Sequence, residues 1–384
     1  MRILMINSVC GIRSTGRICT DLAEMLEKQG HEVKIAYGRE SVPEKYQKYA
    51  VRIGSDFDVK LHGLKARLFD ASGFGSKRAT KRFVEWVKAY DPDVIHLHNL
   101  HGYYLHLGIL FEYLKTCGKK IVWTLHDCWA FTGHCAHFTL AKCEKWKTGC
   151  EHCPQKDSYP KSFSDHAKRN FEKKKSLFCG IPDLTLVTPS VWLAGLVKES
   201  FLREYSVRVI HNGIDLSVFQ PTESDFRERY GLQNKKIILG VASVWDKRKG
   251  LDDFLKLSEI LNDSYAIVLV GVSKEQKDKL PGNIVGIERT NSTKELAGIY
   301  TAADVFFNPT YEDNYPTVNL EAQACGTPVI TYRTGGSVES VPPENVISCG
   351  EYPRVLSMTH CQVAEAVQDK NAMIQEYLEV LEQR

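Results

Sequence analysis

Two carboxylates eight positions apart, Asp313 and Glu321, stand in the stretch FNPTYEDNYPTVNLEAQACGTPV at 307–329. An apolar run at 305–307 leads into it, the chain turns at Asn308-Pro309, and Glu312, Asp313 and Asn314 precede Tyr315, Pro316 and Thr317. These residues predict a helix capped by Asp313 or Asn314, with Pro316 near its first position. It should run to Ala324-Cys325 and stop at Gly326, with Pro328 blocking continuation. A polar turn entering a helix N-terminus binds anions, because the first backbone N–H groups have no partner inside the helix. Glu321 lies too deep to cap and suits a pair of sugar hydroxyls, so a phosphorylated sugar fits the stretch. Taken alone, the same residues also describe an ordinary N-cap and a solvated helix face.

Three further groups of residues could do chemistry. The run WDKRKG at 245–250 sets three consecutive cations, including Arg248 and Lys249, at an expected helix start, where a diphosphate would add to the dipole interaction. His98 and His126 close two apolar runs, and in a doubly wound sheet ligands gather at the carboxyl ends of strands. A lone histidine there serves equally as a structural hydrogen-bonding residue. Cys135, Cys143, Cys150 and Cys153 fall within nineteen residues as C-x7-C-x6-C-x2-C. That is the ligand count of a closed, structural zinc site, in which Cys128, His134, His137 or His152 could replace one thiolate. The alternative is a cluster of reduced, half-buried thiols, and no catalytic metal is expected.

The words around the carboxylates resemble the donor-site signature of retaining glycosyltransferases of family 4, where such a pair precedes a segment like ACGTPV. Asp313 stands where the first carboxylate is more usually glutamate, and Glu312 is one position out of register. The phrase EDNYPT resembles the branch that builds bacterial capsules, exopolysaccharides and O-antigens, including the colanic-acid type. The resemblance implies an α/β GT-B fold, two doubly wound Rossmann-like domains facing a cleft. It implies transfer of a hexose from a UDP- or GDP-sugar to a hydroxyl with retention of configuration. By the same resemblance, Arg248 and Lys249 hold the departing diphosphate, with Ser243 where an arginine is often found. Glu321 takes the ribose hydroxyls; Asp313, Asn314, Tyr315, Pro316 and Thr317 surround the sugar. His126, in a matching T-x-H context, touches it from the opposite domain. Gly271, Arg289 and Thr290 border the donor, while Gly11, Gly16 and His98 lie on the acceptor side. No general base is evident, and in the family the acceptor proton leaves towards the phosphate.

These residues need a scaffold, and the hydrophobic pattern supplies one. Apolar runs at 2–6, 33–36, 94–98, 121–125, 184–188 and 207–210 alternate with amphipathic stretches, and runs at 237–241, 266–270, 285–287 and 305–307 do the same. Strands alternating with helices predict parallel sheets covered on both faces. Residues 41–75 give no regular element. The phrase HNGID at 211–215 resembles the family's interdomain hinge. The expected domains are 1–214 with a Cys-rich insertion at 128–154, 215–355, and a helical segment at 356–384 crossing back to the first.

The whole chain bounds the reading. Its 384 residues suffice for two cores, and 43% apolar with 25% charged residues is a globular composition. No window approaches 18 uninterrupted apolar residues, and the N-terminus lacks a secretory apolar region, so a cytoplasmic protein is expected. Residues 1–190 hold 30 Lys and Arg against 20 Asp and Glu, or +10; the rest hold 20 against 27, or −7, summing to +3. The basic half, above all Lys77, Arg78, Lys81 and Arg82 in a helix at 76–90, predicts peripheral contact with an anionic membrane face, although such a helix also describes an ordinary solvated face. The resemblance implies a glycan acceptor carried on polyprenyl diphosphate at the inner face. Two other readings remain open. A nucleotide-sugar epimerase of the same architecture would share the donor site but add acid–base residues. A nucleic-acid-binding protein would use the Cys-rich knuckle and basic helices, but leaves Asp313 and Glu321 unused, so no nucleic-acid partner is expected.

Overall fold

The structure, a computed structural model, describes residues 1–358, 362–364 and 366–383. The chain divides into two bodies, Met1–Ile210 with the chain from Ile374 onward, and His211–Met373. Among the described residues no helix is long and apolar enough to cross a membrane.

The first body contains β1 (Arg2–Ile6), α1 (Arg13–Lys28), β2 (Glu32–Tyr37), β3 (Ala50–Arg52), α2 (Asp56–Phe69), α3 (Lys77–Tyr90), β4 (Val94–Leu97) and α4 (Leu107–Leu114). It continues with β5 (Lys120–Thr124), α5 (Ala167–Phe178), β6 (Leu184–Thr188), α6 (Val191–Glu199) and β7 (Ser206–Val209). All strands are parallel, in the order β3-β2-β1-β4-β5-β6-β7, with Met5 of β1 facing Ile35 on one side and His96 on the other. β1 and β4 to β6 are buried almost throughout, as strands covered by helices on both faces must be.

The second body contains α7 (Phe226–Arg229), β8 (Lys236–Val241), α8 (Leu251–Ile260), β9 (Tyr265–Val270), α9 (Lys274–Lys277), β10 (Ile284–Ile287) and α10 (Thr293–Ala302). β11 (Val305–Asn308), α11 (Thr317–Ala324), β12 (Val329–Tyr332), β13 (Val346–Ile347) and α12 (Lys370–Glu382) follow; from Ile374 onward α12 belongs to the first body. The sheet order is β10-β9-β8-β11-β12-β13, again all parallel. Successive residues feed opposite faces. Leu239, Val268 and Phe306 enter one core layer, while Ile238, Ile267 and Phe307 enter the other.

Two Rossmann-like α/β bodies are therefore present, as the alternating pattern required. The strand order reverses direction between β1 and β4 in one sheet and between β8 and β11 in the other, and ligands of open α/β sheets bind at such switch points. One local expectation is corrected: residues 41–75 are not irregular but hold β3 and α2. α1 begins at Arg13, and Gly16 sits in its first turn, where its bare backbone lies against Val9.

Candidate active site

In the second sheet the switch point is built from the loops after β8 and β11. Asp246 accepts the Lys249 backbone N–H at 2.9 Å and caps a short turn over Lys247–Lys249 that precedes α8. Gly250 follows with φ 74°; a Cβ there would meet the Pro309 carbonyl oxygen at 2.3 Å, so only glycine lets the two loops approach. Arg248 donates to the Glu312 carbonyl at 3.0 Å, and its own carbonyl accepts the Tyr311 N–H at 2.8 Å. Lys249 Nζ reaches Asp313 Oδ2 at 2.5 Å, both side chains being largely covered. Gly335, at φ 51°, presses on the Asp313 carbonyl, which accepts the Gly336 N–H at 3.1 Å. Arg248, Lys249 and Asp313 thus converge.

α11 starts at Thr317 with Pro316 in the cap position and no side-chain cap. This corrects the expected capping by Asp313 or Asn314, since the Asp313 carboxylate is engaged by Lys249. Glu321 is partly exposed one turn inside, and Tyr300 donates to its Oε2 at 2.9 Å. Burial, then the facing carboxylate, hold the Tyr300 phenol protonated. Tyr315 is buried, its ring stacked on His211 at 4.7 Å between centroids, so its side chain packs rather than projects. Asn314 and Pro316 are buried as well, and Thr317 is half-buried. Gly271 follows β9, while Arg289, exposed, and Thr290, half-buried, follow the edge strand β10. Sequence reasoning missed Tyr300, and it missed the buried amides under α11. Asn319 accepts from Asn308 at 2.8 Å and donates to Ser340 Oγ at 2.9 Å. Tyr300 lies outside any motif, and Asn308 and Asn319 stand within the 307–329 stretch with no role assigned to them.

In the first sheet, Gly11 donates to the Gly16 carbonyl at 3.1 Å, closing the loop after β1 on itself. Asn7 joins that loop to the one after β4, donating to the Val9 carbonyl and accepting the Asn99 N–H at 3.2 Å. His98 Nδ1 lies 3.0 Å from His126 Nε2, and the rings stack, with His96 behind them. Burial pulls the His126 pKa down to about 4 and His96 to about 3, so both rings are neutral near pH 7. His98 and His126 are thus brought together at adjacent strand ends. Beside them is a trio that went unrecognised: His101 bonds Asp127 Oδ2 at 2.8 Å through one nitrogen and the Tyr159 hydroxyl at 2.9 Å through the other. Burial opposes ionisation of Asp127, but His101 and the Trp129 N–H outweigh it and hold the carboxyl at about 2.

Cys135, Cys143, Cys150 and Cys153 all line one hollow of about 10 Å³ together with His134. Gly133 donates its N–H to Cys150 Sγ at 3.2 Å, and Cys135 and Cys153 hydrogen-bond to one another. His134 Nδ1 is held by Asp70 at 2.6 Å, while its buried Nε2 has no hydrogen-bond partner among the described residues. Lys174, also buried, donates to the Trp129 and Thr132 carbonyls close by. The side chains are gathered but not set as ligands: among the described residues no three or more His, Cys, Asp or Glu form a group that could hold a metal ion.

Comparison with known proteins places this geometry. A putative colanic acid biosynthesis glycosyl transferase, WcaC, from Escherichia coli K12 is 26% identical over 96% of this chain and 92% of its own length. A D-inositol 3-phosphate glycosyltransferase from Corynebacterium jeikeium is 30% identical over 40% of this chain and 42% of its own. Among solved structures, sucrose-phosphate synthase from Thermosynechococcus elongatus superposes with a TM-score of 0.70 at 17% identity, covering 99% of this chain and 98% of that one. Anabaena Alr3699/HepE, solved with UDP, gives 0.67 at 15% identity, covering 99% of both chains. At such identities the structures speak for the fold, which is GT-B. The family model "Glycosyl transferases group 1" matches residues 222–350. The model "Glycosyltransferase Family 4" matches residues 15–218, more than half the chain, and the protein is therefore a glycosyltransferase belonging to family 4.

Proposed function

We propose that this enzyme transfers a hexose from a nucleoside-diphosphate sugar to a hydroxyl of a glycan, with retention at the anomeric carbon. The observation that carries the reading is the convergence of Arg248, Lys249 and Asp313 ahead of the α11 N-terminus, with Glu321 one turn inside, at a sheet switch point. Arg248 and Lys249 take the diphosphate and stabilise the charge that grows on it as the glycosidic bond breaks. Lys249 exchanges Asp313 for phosphate oxygens, and Asp313 is released to the sugar hydroxyls beside the amides that follow it. Glu321, steadied by Tyr300, accepts the ribose hydroxyls. His126, neutral and so able to accept or donate, contacts the transferred sugar, and Arg289 and Thr290 border the base. The UDP and UDP-glucose complexes of the HepE protein support a nucleotide-sugar donor.

The acceptor side is proposed to be Gly11, Gly16 and His98, and the acceptor a glycan on polyprenyl diphosphate at the inner membrane face, in surface-polysaccharide synthesis. The whole-length likeness to the colanic acid enzyme and the basic first half support this. Thermal denaturation against a panel of UDP- and GDP-sugars tests the donor. One of them should stabilise the protein by about 2.7 kcal/mol at a hundredfold excess over its Kd, and the anomer of the product then reads retention or inversion. Indifference to every nucleotide sugar, with salt-sensitive retention of an oligonucleotide, would refute the reading.

A structural zinc at Cys135, Cys143, Cys150 and Cys153 is proposed alongside. Their common hollow and the N–H donated to Cys150 support it. So does the Asp70-oriented imidazole of His134, the usual second shell of a metal-bound histidine and able to replace one thiolate. Binding requires Cys135 and Cys153 to give up their mutual hydrogen bond for the metal. Elemental analysis of enzyme purified without chelator should find about one zinc per chain; less than half that, in enzyme that transfers sugar, leaves a cluster of thiols.

A further inference from the structure

α2 is turned the opposite way from an ordinary surface helix. Its inward side carries His62 and Ala66, both buried, with Val59 and Gly63 partly covered. Phe57, Leu61, Leu64 and Leu68, spaced i, i+4, i+7 and i+11 along one stripe, face solvent, Phe57 being 71% and Leu64 55% exposed. Phe69, the last residue of α2, and Phe163 beyond the helix are also exposed, at 57% and 65%. Phe163 is fixed there by its N–H to the Arg67 carbonyl at 2.8 Å. The helix does not depend on these side chains. It starts in a capping box between Ser55 and Asp58, and His62 anchors it by accepting the Gly75 N–H and contacting Ser76 Oγ, each at 3.0 Å. Isolated exposed leucines need no explanation, but six large apolar groups on one face mark a contact surface.

The charge around the patch selects its partner. Lys60, Lys65 and Arg67 are exposed on the same helix and form no ion pair among the described residues; Arg67 lies over the Phe163 ring at 5.1 Å. Lys77, Arg78, Lys81 and Arg82 of α3 add further exposed cations. A two-fold contact with a second copy would set these like charges against themselves. A surface of lipid phosphates neutralises them, and an interfacial helix sinks its apolar face about 5–10 Å into the head-group boundary.

We infer that the Phe57–Leu61–Leu64–Leu68 face of α2, with Phe69 and Phe163, inserts into an anionic bilayer. The inference rests on the acceptor at the membrane face proposed above and adds an apolar anchor on α2 to the basic contact of α3, which becomes the electrostatic rim.

Flotation with vesicles of phosphatidylglycerol and phosphatidylcholine tests it on the full chain, with hydrogen exchange followed over residues 56–69. The parent should float with mixed vesicles and little with pure phosphatidylcholine, and exchange at 56–69 should slow when lipid is added. The variant L61S/L64S/L68S, altered only at exposed positions, should lose at least tenfold in vesicle affinity. Nucleotide-sugar stabilisation, measured without lipid on the same preparations, should be unchanged; its absence in the parent would count against the donor reading and not against the membrane face. Equal flotation of the serine variant, no flotation of the parent, or a lipid-free dimer that the serine changes dissolve while flotation persists would each overturn the inference.

Discussion

On the proposed donor reading, Lys249 has to leave one anion in order to serve another. It neutralises Asp313 in the structure, and in the proposed donor complex a diphosphate competes for the ammonium. Removing a charge-assisted contact of this kind costs about 1.5–3 kcal/mol. K249A and E321A should each lower kcat/KM for the donor by roughly 10- to 150-fold with the circular dichroism spectrum unchanged. Y300F, which removes a neutral donor from Glu321, should lose about 1 kcal/mol, or some fivefold. Initial rates at subsaturating donor check all three, and near-parental turnover in K249A or E321A would displace the site. Asp313 and Glu321 stood out in the sequence as candidates because a loop–helix motif carries them. Tyr300 was not, because a tyrosine inside an apolar helix reads as core, and only the fold sets it opposite a carboxylate 21 positions away.

At the level of elements, α11 is an eight-residue helix, too short to persist on its own propensity. It is held from below by Asn319, whose amide joins Asn308 on β11 to Ser340 in the following loop, and by Gln323, which donates to the Ser340 carbonyl at 2.8 Å. N319A should therefore destabilise the protein by about 1–3 kcal/mol, because it strands buried partners as well as losing its own bonds. N319D should recover part of the loss, retaining the acceptor towards Asn308. Urea titration separates the two, and equal midpoints for N319A and the parent would mean that the network holds nothing. The strands and long helices were readable from their periodicity. The face α2 buries was not, because Phe57, Leu61, Leu64 and Leu68 keep helical spacing but look outward while His62 looks inward.

For the molecule as a whole, the alternation of apolar runs was enough to imply two parallel sheets, since such strands close into a core only when helices cover both faces. It could not give the course of 128–166, where turns, half-buried thiols and the Asp70–His134 pair replace periodic structure. The first body also carries a pH liability. His62 and His96 are buried and neutral, with pKa values pulled by burial to about 4 and about 3, against about 6.5 in an unfolded chain. Between those values the unfolded chain binds the extra protons. Stability is therefore fully present above about pH 6.5 and falls as the pH drops towards 4, by on the order of 3 kcal/mol or more per histidine. Melting temperatures across pH 7 to 4 should show this decline, and H62Q should flatten part of it; a profile level down to pH 4 would mean that neither ring is neutral by burial.

The last helix gives the enzyme an unusual seam. α12 is counted with the second body only up to Met373, and from Ile374 its side chains complete the first. Tyr377 lies 5.5 Å from the His96 ring and meets the Thr124 hydroxyl, directly behind the row formed by His96, His98 and His126. For anyone cutting the gene into pieces, residues 1–210 are consequently an incomplete part. Expressed alone, that fragment would leave the back of its histidine row uncovered, and a separate peptide spanning 370–383 should rescue its solubility. The enzyme thus carries a ready-made split point, usable as a complementation tag.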